Sequence, residues 1–487
     1  MPSVASIDAS EQIGRSGDPA PSALRGSAWT VAGYLASQGV RFATNLTLQR
    51  LLWPEVFGIM ALVSTFQQGL GMFSDIGIGA SIIQHRHGEH PAFLRTAWTV
   101  QVIRGVILWA AAAAMAWPLS RAYHHDLQQL LPIAGSTAMI AALNSTAMFT
   151  LNRRLVLARL TLLALTSQVL ASLVMIVWAR VSPSVWALIA GSIVGSLATA
   201  ILSHQLPSNH RDSFAIDRQS LRELLQFGRW IFASTALTFF ASQGDKLLFA
   251  PLIPIGVLGI YNNALALATM PTQVVLSLNM AVLFPLFSHR ARSGDGLGPL
   301  LDRARAPVVI LAGVVVAGLI SSGPTFVRLV YAPSFRDAEW MVPILAVACL
   351  FQVLEATIGA ALLGVGQPRS VAAYSAIKLV AMVILIPLGY RLHAFEGALV
   401  GLVLADLCKY AASLIAARLE ALSVMRRDLT TCMLVAMSAG IGLGAGRLVA
   451  EAGGGNLLRF LAEGTATVLV WLPASAPMLR LVRVARQ

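Results

Sequence analysis

Fourteen stretches long and apolar enough to cross a lipid bilayer follow one another along this chain, and that recurrence limits its fold more than any other feature. A helical crossing needs about 20 predominantly apolar residues. The stretches lie near residues 27–48, 57–80, 96–118, 129–150, 158–179, 185–203, 229–250, 262–287, 306–322, 340–363, 370–390, 395–417, 430–449 and 459–479. Membrane β-barrel strands are about 10 residues long and alternate in polarity, whereas these runs are longer and apolar on all sides. The expected fold is therefore all-α: a polytopic membrane protein of about 14 transmembrane helices, in two six-helix lobes plus two C-terminal helices. Of the 487 residues, 56% are hydrophobic and 12% charged, where a soluble domain carries roughly a quarter charged. A soluble globular reading is excluded.

The net charge of +13 does not point to nucleic acid, because no polar domain gathers the cations. They sit in short loops and are distributed unevenly. With the N-terminus in the cytoplasm, 22 of the 35 Lys+Arg fall on the cytoplasmic side and 8 on the other. That bias sets the orientation, and an even helix count returns the C-terminus to the cytoplasm. Residues 1–24 read as a disordered cytoplasmic tail without a signal-peptide apolar core. Residues 25–203 form an N-terminal six-helix lobe and 204–227 a cytoplasmic linker with an amphipathic piece at Leu221–Phe227. Residues 228–420 form a C-terminal six-helix lobe, and 421–487 two extra helices and a short cytoplasmic tail.

The halves look related. Ser37-Gln38-Gly39 with Arg41 in the first span is matched by Ser242-Gln243-Gly244 with Lys246 in the seventh. Paired lobes of this kind are a common transporter plan. Ionisable residues inside the spans are the functional candidates, because a charge at the bilayer centre costs at least about 2.5–3.5 kcal/mol and must face a wet cavity or a partner. The cations are Arg41, Arg104, Lys246, Lys378 and Lys409; the anions are Asp75, Asp245, Glu355 and Asp406. Asp245 beside Lys246, and Asp406 three residues before Lys409, are expected to pair, the second couple as helical i, i+3 neighbours. Arg41 and Arg104 have no acidic neighbour in sequence. Arg41 lies in a stripe with Ser37, Gln38, Thr44 and Asn45. A wet cavity lined by Arg and Lys suits an anion, and guanidinium binds phosphate oxygens in bidentate fashion.

Other local signals have structural explanations. Pro54 starts a helix and Gly58 permits close packing. Gly440, Gly442, Gly444 and Gly446 lie in an apolar span with no strand before them, which fits small-residue helix packing rather than a nucleotide loop. His85, His87 and His90 form a solvated basic loop, and no metal or cofactor site is expected. Cys349, Cys408 and Cys432 lie in apolar runs as small hydrophobes. Trp53, Trp117, Trp186 and Tyr331 are placed at membrane interfaces. No nucleophile elbow, P-loop or carboxylate pair on a large loop appears, so the chain is read as a transporter, not an enzyme.

The stretch Leu51-Leu52-Trp53-Pro54-Glu55-Val56-Phe57-Gly58, then Phe73-Ser74-Asp75-Ile76-Gly77-Ile78-Gly79 and Ile83-Gln84, resembles the opening signature of the polysaccharide-transport (Wzx-like) family of the MOP flippase superfamily. Asp245-Lys246-Leu247-Leu248, Leu258-Gly259-Ile260-Tyr261 with Ala264, and Phe284-Pro285-Leu286-Phe287-Ser288 resemble the start of its second half. Gly364-Val365-Gly366-Gln367-Pro368 resembles its helix 10–11 turn. The likeness covers about residues 25–420. It implies a flippase moving undecaprenyl-pyrophosphate-linked oligosaccharide from the cytoplasmic to the periplasmic leaflet of the bacterial inner membrane, for exopolysaccharide, capsule or O-antigen. It also implies an anion-binding role for Arg41, Lys246, Arg104 and Lys378. Asp75, Asp245, Glu355 and Asp406 are the candidates for ion coupling. The expected partners are the lipid-linked substrate and membrane lipids, with a polysaccharide polymerase and a chain-length regulator as candidates. The competing reading is a cation-coupled multidrug antiporter of the related MATE family, with acidic cavity residues.

Overall fold

The computed structural model describes residues 19–74, 77–84, 88–123, 127–154, 156–207, 211–279, 283–292, 298–420, 422 and 424–484. Asp75, His85, His87 and the first 18 residues of the tail lie outside them. Among the described residues the fold is helical without strands, as the uninterrupted apolar runs require. The N-terminal lobe comprises α1 (Pro19–Leu51), α2 (Pro54–Phe73), α3 (Ile78–Gln84), α4 (Pro91–Tyr123), α5 (Leu127–Ala142), α6 (Ala147–Arg153), α7 (Leu157–Val181) and α8 (Val185–His204). The C-terminal lobe comprises α9 (Arg218–Phe249), α10 (Ile255–Ala268), α11 (Met270–Leu278), α12 (Phe284–Arg292), α13 (Gly298–Val330), α14 (Ala338–Gly364) and α15 (Pro368–Leu419). Helices α16 (Met425–Glu451) and α17 (Asn456–Val484) follow. Eight of these helices can each cross a membrane by length and composition, and the α5–α6 pair, bent by 59°, makes a ninth.

The breaks explain why helices outnumber expected spans. The second expected span is split into α2 and α3, with Gly77 at φ 68 between them, a conformation that favours glycine. The eighth is divided among α10, α11 and α12, with Pro271 opening α11. Helix α15 is two helices joined at a kink, where His393 and Ala394 leave helical geometry. Gly366 at φ 81 and Pro368 at the next helix start make the expected turn between α14 and α15.

Three expectations need correcting. The first helix begins at Pro19, so the end of the expected disordered tail is helical. The end of the 204–227 linker belongs to α9, which Asp217 caps by accepting from the Ser220 amide at 2.8 Å. The segment 211–217 before it is strapped to the N-terminal lobe. Ser145 and Thr146 hydroxyls each donate to Asp212 at 2.6 Å, and the Asp217 amide donates to Thr96 Oγ1 at 2.9 Å. Finally, Tyr331 is not an interface anchor: it is buried in the core between the lobes, with its hydroxyl 3.5 Å from the Asn263 carbonyl. Trp53 and Trp117 are exposed as expected.

The lobes meet closely where α2 crosses α10. A Cβ on Gly58 would lie 1.9 Å from the Ile255 carbonyl oxygen, and one on Gly259 would lie 2.0 Å from that of Pro54. Only glycine lets the two backbones approach this far. Beside the crossing, Asn45 Nδ2 and Gln49 Nε2 of α1 donate to Asn263 Oδ1 of α10 at 2.7 and 3.2 Å. At the other end of α2, Phe73 packs against Phe239 of α9, ring centroids 5.2 Å apart.

Helices α16 and α17 are anchored to the C-terminal lobe by a buried charge cluster. Arg305 of α13 holds both oxygens of Asp428 of α16, at 2.6 and 3.0 Å. It also donates to Thr357 Oγ1 at 2.5 Å and to the Leu354 carbonyl at 2.9 Å, and the Tyr410 hydroxyl donates to Asp428 at 2.8 Å. Arg305 is thus not the exposed loop cation that the orientation count took it for. Of the four glycines in α16, Gly442 and Gly446 pack against Thr467 and Glu463 of α17, while Gly440 and Gly444 face open space. The small-residue packing is real and confined to one helix face.

Candidate functional site

Two cavities lie in the two lobes and share one wall residue, Asn262 of α10. The first, of about 510 Å³, is lined by α1, α2, α7 and α8 together with Asn262. Its wall contains Arg41, Thr44, Asn45, Ser64, Gln168 and Ser192. Arg41 is exposed and, among the described residues, has no hydrogen-bond or ion-pair partner. Gln168 is fixed against α1: it accepts from the Ser37 hydroxyl at 2.5 Å and donates to the Ser37 carbonyl at 2.9 Å. Thr44 and Asn45 of the polar stripe of α1 thus line this cavity beside Arg41.

The second cavity, of about 520 Å³, lies among α9, α10, α11, α14 and α15. Lys246 lines it and donates to Gln243 Oε1 at 2.8 Å, three residues back on the same helix. Arg41 and Lys246, the matched cations of the two related halves, thus each line the cavity of their own lobe. Neither touches a carboxylate among the described residues.

The remaining charges are arranged differently from the expected local pairs. Asp245 does not pair with Lys246; it accepts a hydrogen bond from the Tyr261 hydroxyl of α10. Asp406 does not pair with Lys409, although they are three residues apart. Lys378 Nζ lies 2.6 Å from Asp406 Oδ1, and Gln352 donates to the other Asp406 oxygen at 3.0 Å. Lys409 Nζ lies 2.7 Å from Glu355 Oε2, and it sits 5.7 Å above the Tyr374 ring. The first pair ties the two halves of α15 across its kink and the second ties α15 to α14, and both are largely shielded, with side-chain exposures of 10%/1% and 20%/9%. A carboxylate so shielded gains more from a facing ammonium than from a neighbour on its own helix.

The four expected anion-binding residues therefore separate. Arg41 and Lys246 lie in the two lumens. Lys378 lines the second cavity but is matched by Asp406. Arg104 lies elsewhere: it donates to Ser74 Oγ at 2.9 Å and to the Gly71 carbonyl at 2.8 Å, holding the end of α2. Of the four ion-coupling candidates, Asp245 and Glu355 line the second cavity, Asp406 lies behind Lys378, and Asp75 is outside the described residues. The sequence reading missed the neutral polar lining, including Gln68, Gln273 and Gln352. Gln residues within otherwise apolar runs were its only signal. It also missed Arg305 and Asp428, which are 123 positions apart.

The comparisons with known proteins agree with this architecture. Residues 47–339 match the family described as "Polysaccharide biosynthesis protein". The succinoglycan biosynthesis transport protein ExoT of Rhizobium meliloti (strain 1021) is 22% identical over 365 residues, covering 74% of this chain and 73% of ExoT. The lipopolysaccharide biosynthesis protein WzxC of Escherichia coli (strain K12) is 21% identical over 335 residues, covering 68% of this chain and 67% of WzxC. Among solved structures, the lipid II flippase MurJ in an inward closed conformation superposes with TM-score 0.70 at 14% identity, covering 93% of this chain and 99% of MurJ. An inward-facing MATE family multidrug transporter of the MOP superfamily superposes with TM-score 0.59 at 15% identity, covering 80% and 95%. The fold is shared with these MurJ and MATE structures, and because the matched segment spans more than half of its length, the chain belongs to the polysaccharide biosynthesis protein family.

Proposed function

We propose that this protein is a flippase that carries undecaprenyl-pyrophosphate-linked oligosaccharide from the cytoplasmic to the periplasmic leaflet of the bacterial inner membrane, for surface polysaccharide assembly. One observation carries the reading. Arg41 and Lys246, at matching positions in the two halves, each line a lobe cavity without a carboxylate partner among the described residues, and the cavities adjoin at Asn262. An anionic headgroup between the lobes meets a cation on each side. The names of ExoT, WzxC and MurJ point the same way.

In this mechanism the α2–α10 crossing and the Asn45–Asn263 contact form the exterior closure, with both termini in the cytoplasm. The headgroup enters from the cytoplasmic side while the prenyl chain stays in lipid. Rocking of one lobe against the other then opens the exterior face. The chain performs transport and no covalent chemistry. A MATE-type antiporter needs acidic groups free for an organic cation, whereas Glu355 and Asp406 are already engaged by Lys409 and Lys378, and Asp245 accepts from the Tyr261 hydroxyl.

The test is complementation of a strain lacking its own flippase for such a unit. Arg41→Ala and Lys246→Ala should each reduce surface polysaccharide at least tenfold at normal protein level, with lipid-linked precursor accumulating and drug resistance unchanged. Unaltered polysaccharide together with lost drug efflux would replace this reading with the antiporter.

A further inference from the structure

Three buried acids of the C-terminal lobe, Asp245 of α9, Glu355 of α14 and Asp406 of α15, are 5%, 7% and 1% exposed. Each carboxylate taken so far from water costs several kcal/mol unless positive charge faces it. A metal cation from solution, which takes oxygen ligands, is one source of that charge. Here the chain supplies its own. Lys378 Nζ lies 2.6 Å from Asp406 Oδ1, and the lysine is itself buried. Asp245 and Glu355 act electrostatically on the same ammonium from farther away. Lys409 holds Glu355 at 2.7 Å, and Lys246 follows Asp245 on the cavity wall. Three carboxylates are thus balanced by three ammonium groups, and no charge is left for a solute cation to neutralise.

The oxygens beside Lys378 are of the kind that binds a small monovalent ion. Gln352 gives its amide hydrogen to Asp406 Oδ2 at 3.0 Å, and its own carbonyl oxygen remains. Ser375, on the turn before Lys378, lines the same cavity, spends its proton on the Val371 carbonyl at 2.8 Å and keeps its lone pairs. Asp245 Oδ1 is buried with no hydrogen-bond partner among the described residues. Among those residues no three acidic, histidine or cysteine side chains gather to hold a metal ion. The place therefore suits a single positive charge rather than a divalent metal. An ammonium on a four-carbon stem fills it, and unlike a free ion it cannot leave on one side of the membrane and be replaced on the other.

We infer that Lys378 is a built-in counter-cation. Its ammonium occupies a monovalent-cation site of the C-terminal lobe, so the carrier works without a coupling sodium or potassium ion, and removal of Lys378 opens the site to one. This role belongs to the carrier whatever its cargo, and so lies beyond the flippase reading.

Thermal unfolding of the full chain in detergent, at one ionic strength in sodium, potassium or choline chloride, tests it. The wild type should unfold at the same temperature in all three salts. Lys378→Met should be least stable in choline and gain about 3 °C or more in sodium or potassium. The double variant Lys378→Met with Asp406→Leu should again be indifferent to the salt. Lys378→Gln, which keeps a polar group toward Asp406, provides the same comparison where the methionine variant does not fold. A wild type stabilised by either metal ion, or a Lys378 variant that unfolds alike in all three salts, would overturn the inference. Export of lipid-linked oligosaccharide by the reconstituted wild type should continue at the same rate when choline replaces both metal ions, and a stop on their removal would overturn it as well. Absence of export in every salt would instead strike the flippase reading and leave the thermal comparison standing, so the two ideas fail separately.

Discussion

Gly58 and Gly259 are reciprocal: each lies against the backbone carbonyl of the residue four positions before the other, Ile255 and Pro54 respectively. This two-fold-like contact between related halves closes α2 on α10. A side chain at either position must force the helices apart, and overpacking of this kind costs about 1–3 kcal/mol. Gly259→Val should fold, widen the α2–α10 distance as read by paired spin labels, and lower polysaccharide export at least tenfold. An unchanged distance distribution would show that the crossing is not a closure.

Lys378 and Asp406 are a shielded pair, and removing one partner strands the other. Lys378→Met should lower stability by about 3–5 kcal/mol, whereas the double change Lys378→Met with Asp406→Leu should recover most of it. Thermal unfolding of the single and double variants in detergent measures the coupling. Additive losses would mean that the ion pair contributes nothing as a pair.

The Arg305–Asp428 cluster should behave similarly but report on different helices. Arg305→Ala leaves Asp428 buried and without its bidentate partner, and about 3–5 kcal/mol of stability should be lost. Because the cluster joins α13, α14, α15 and α16, protease nicking in the α15–α16 connection should accelerate in this variant. Arg305→Lys should rescue it only in part, since a lysine cannot reproduce the fork.

The α9 cap provides a pH test outside the membrane. Hydrogen bonds from the Ser220 backbone amide and then its hydroxyl hold the Asp217 carboxyl below its ordinary pKa. A depressed carboxylate contributes stability that is present above the unfolded pKa of about 3.9 and lost as pH falls through the folded value. The protection factors of amides in the first turn of α9, corrected for the intrinsic pH dependence of exchange, should thus fall on acidification. Asp217→Ala should lower that protection at neutral pH and remove its acid dependence.

How far the primary structure reveals this molecule follows from the range of each interaction. The spans were legible because apolar length is a local property, and each expected stretch falls on a helix or a broken helix. The Arg41–Lys246 correspondence was legible because the motif around each was retained in both halves. The ion pairs were not. The spacing of Asp406 and Lys409 favours a local contact, but Lys378 and Glu355 approach from facing helices and win. Arg305 has the look of a loop cation because it stands among Arg303 and Asp302 at the border of a span. Only the docking of α16, which brings Asp428 to it, makes it part of the core.

Around the C-terminal cavity Lys246, Lys378 and Lys409 are balanced in number, though not all in contact, by Asp245, Glu355 and Asp406, and the balance has an electrical consequence. With all six ionised, the empty C-terminal cavity carries no net charge, so its return toward the cytoplasm moves none through the membrane field. In the proposed flippase a diphosphate seated there would bring its own negative charge, and an interior-negative potential would favour its outward passage by about 2.3 kcal/mol per charge for each 100 mV. On that reading voltage acts on the C-terminal cavity only when it is loaded.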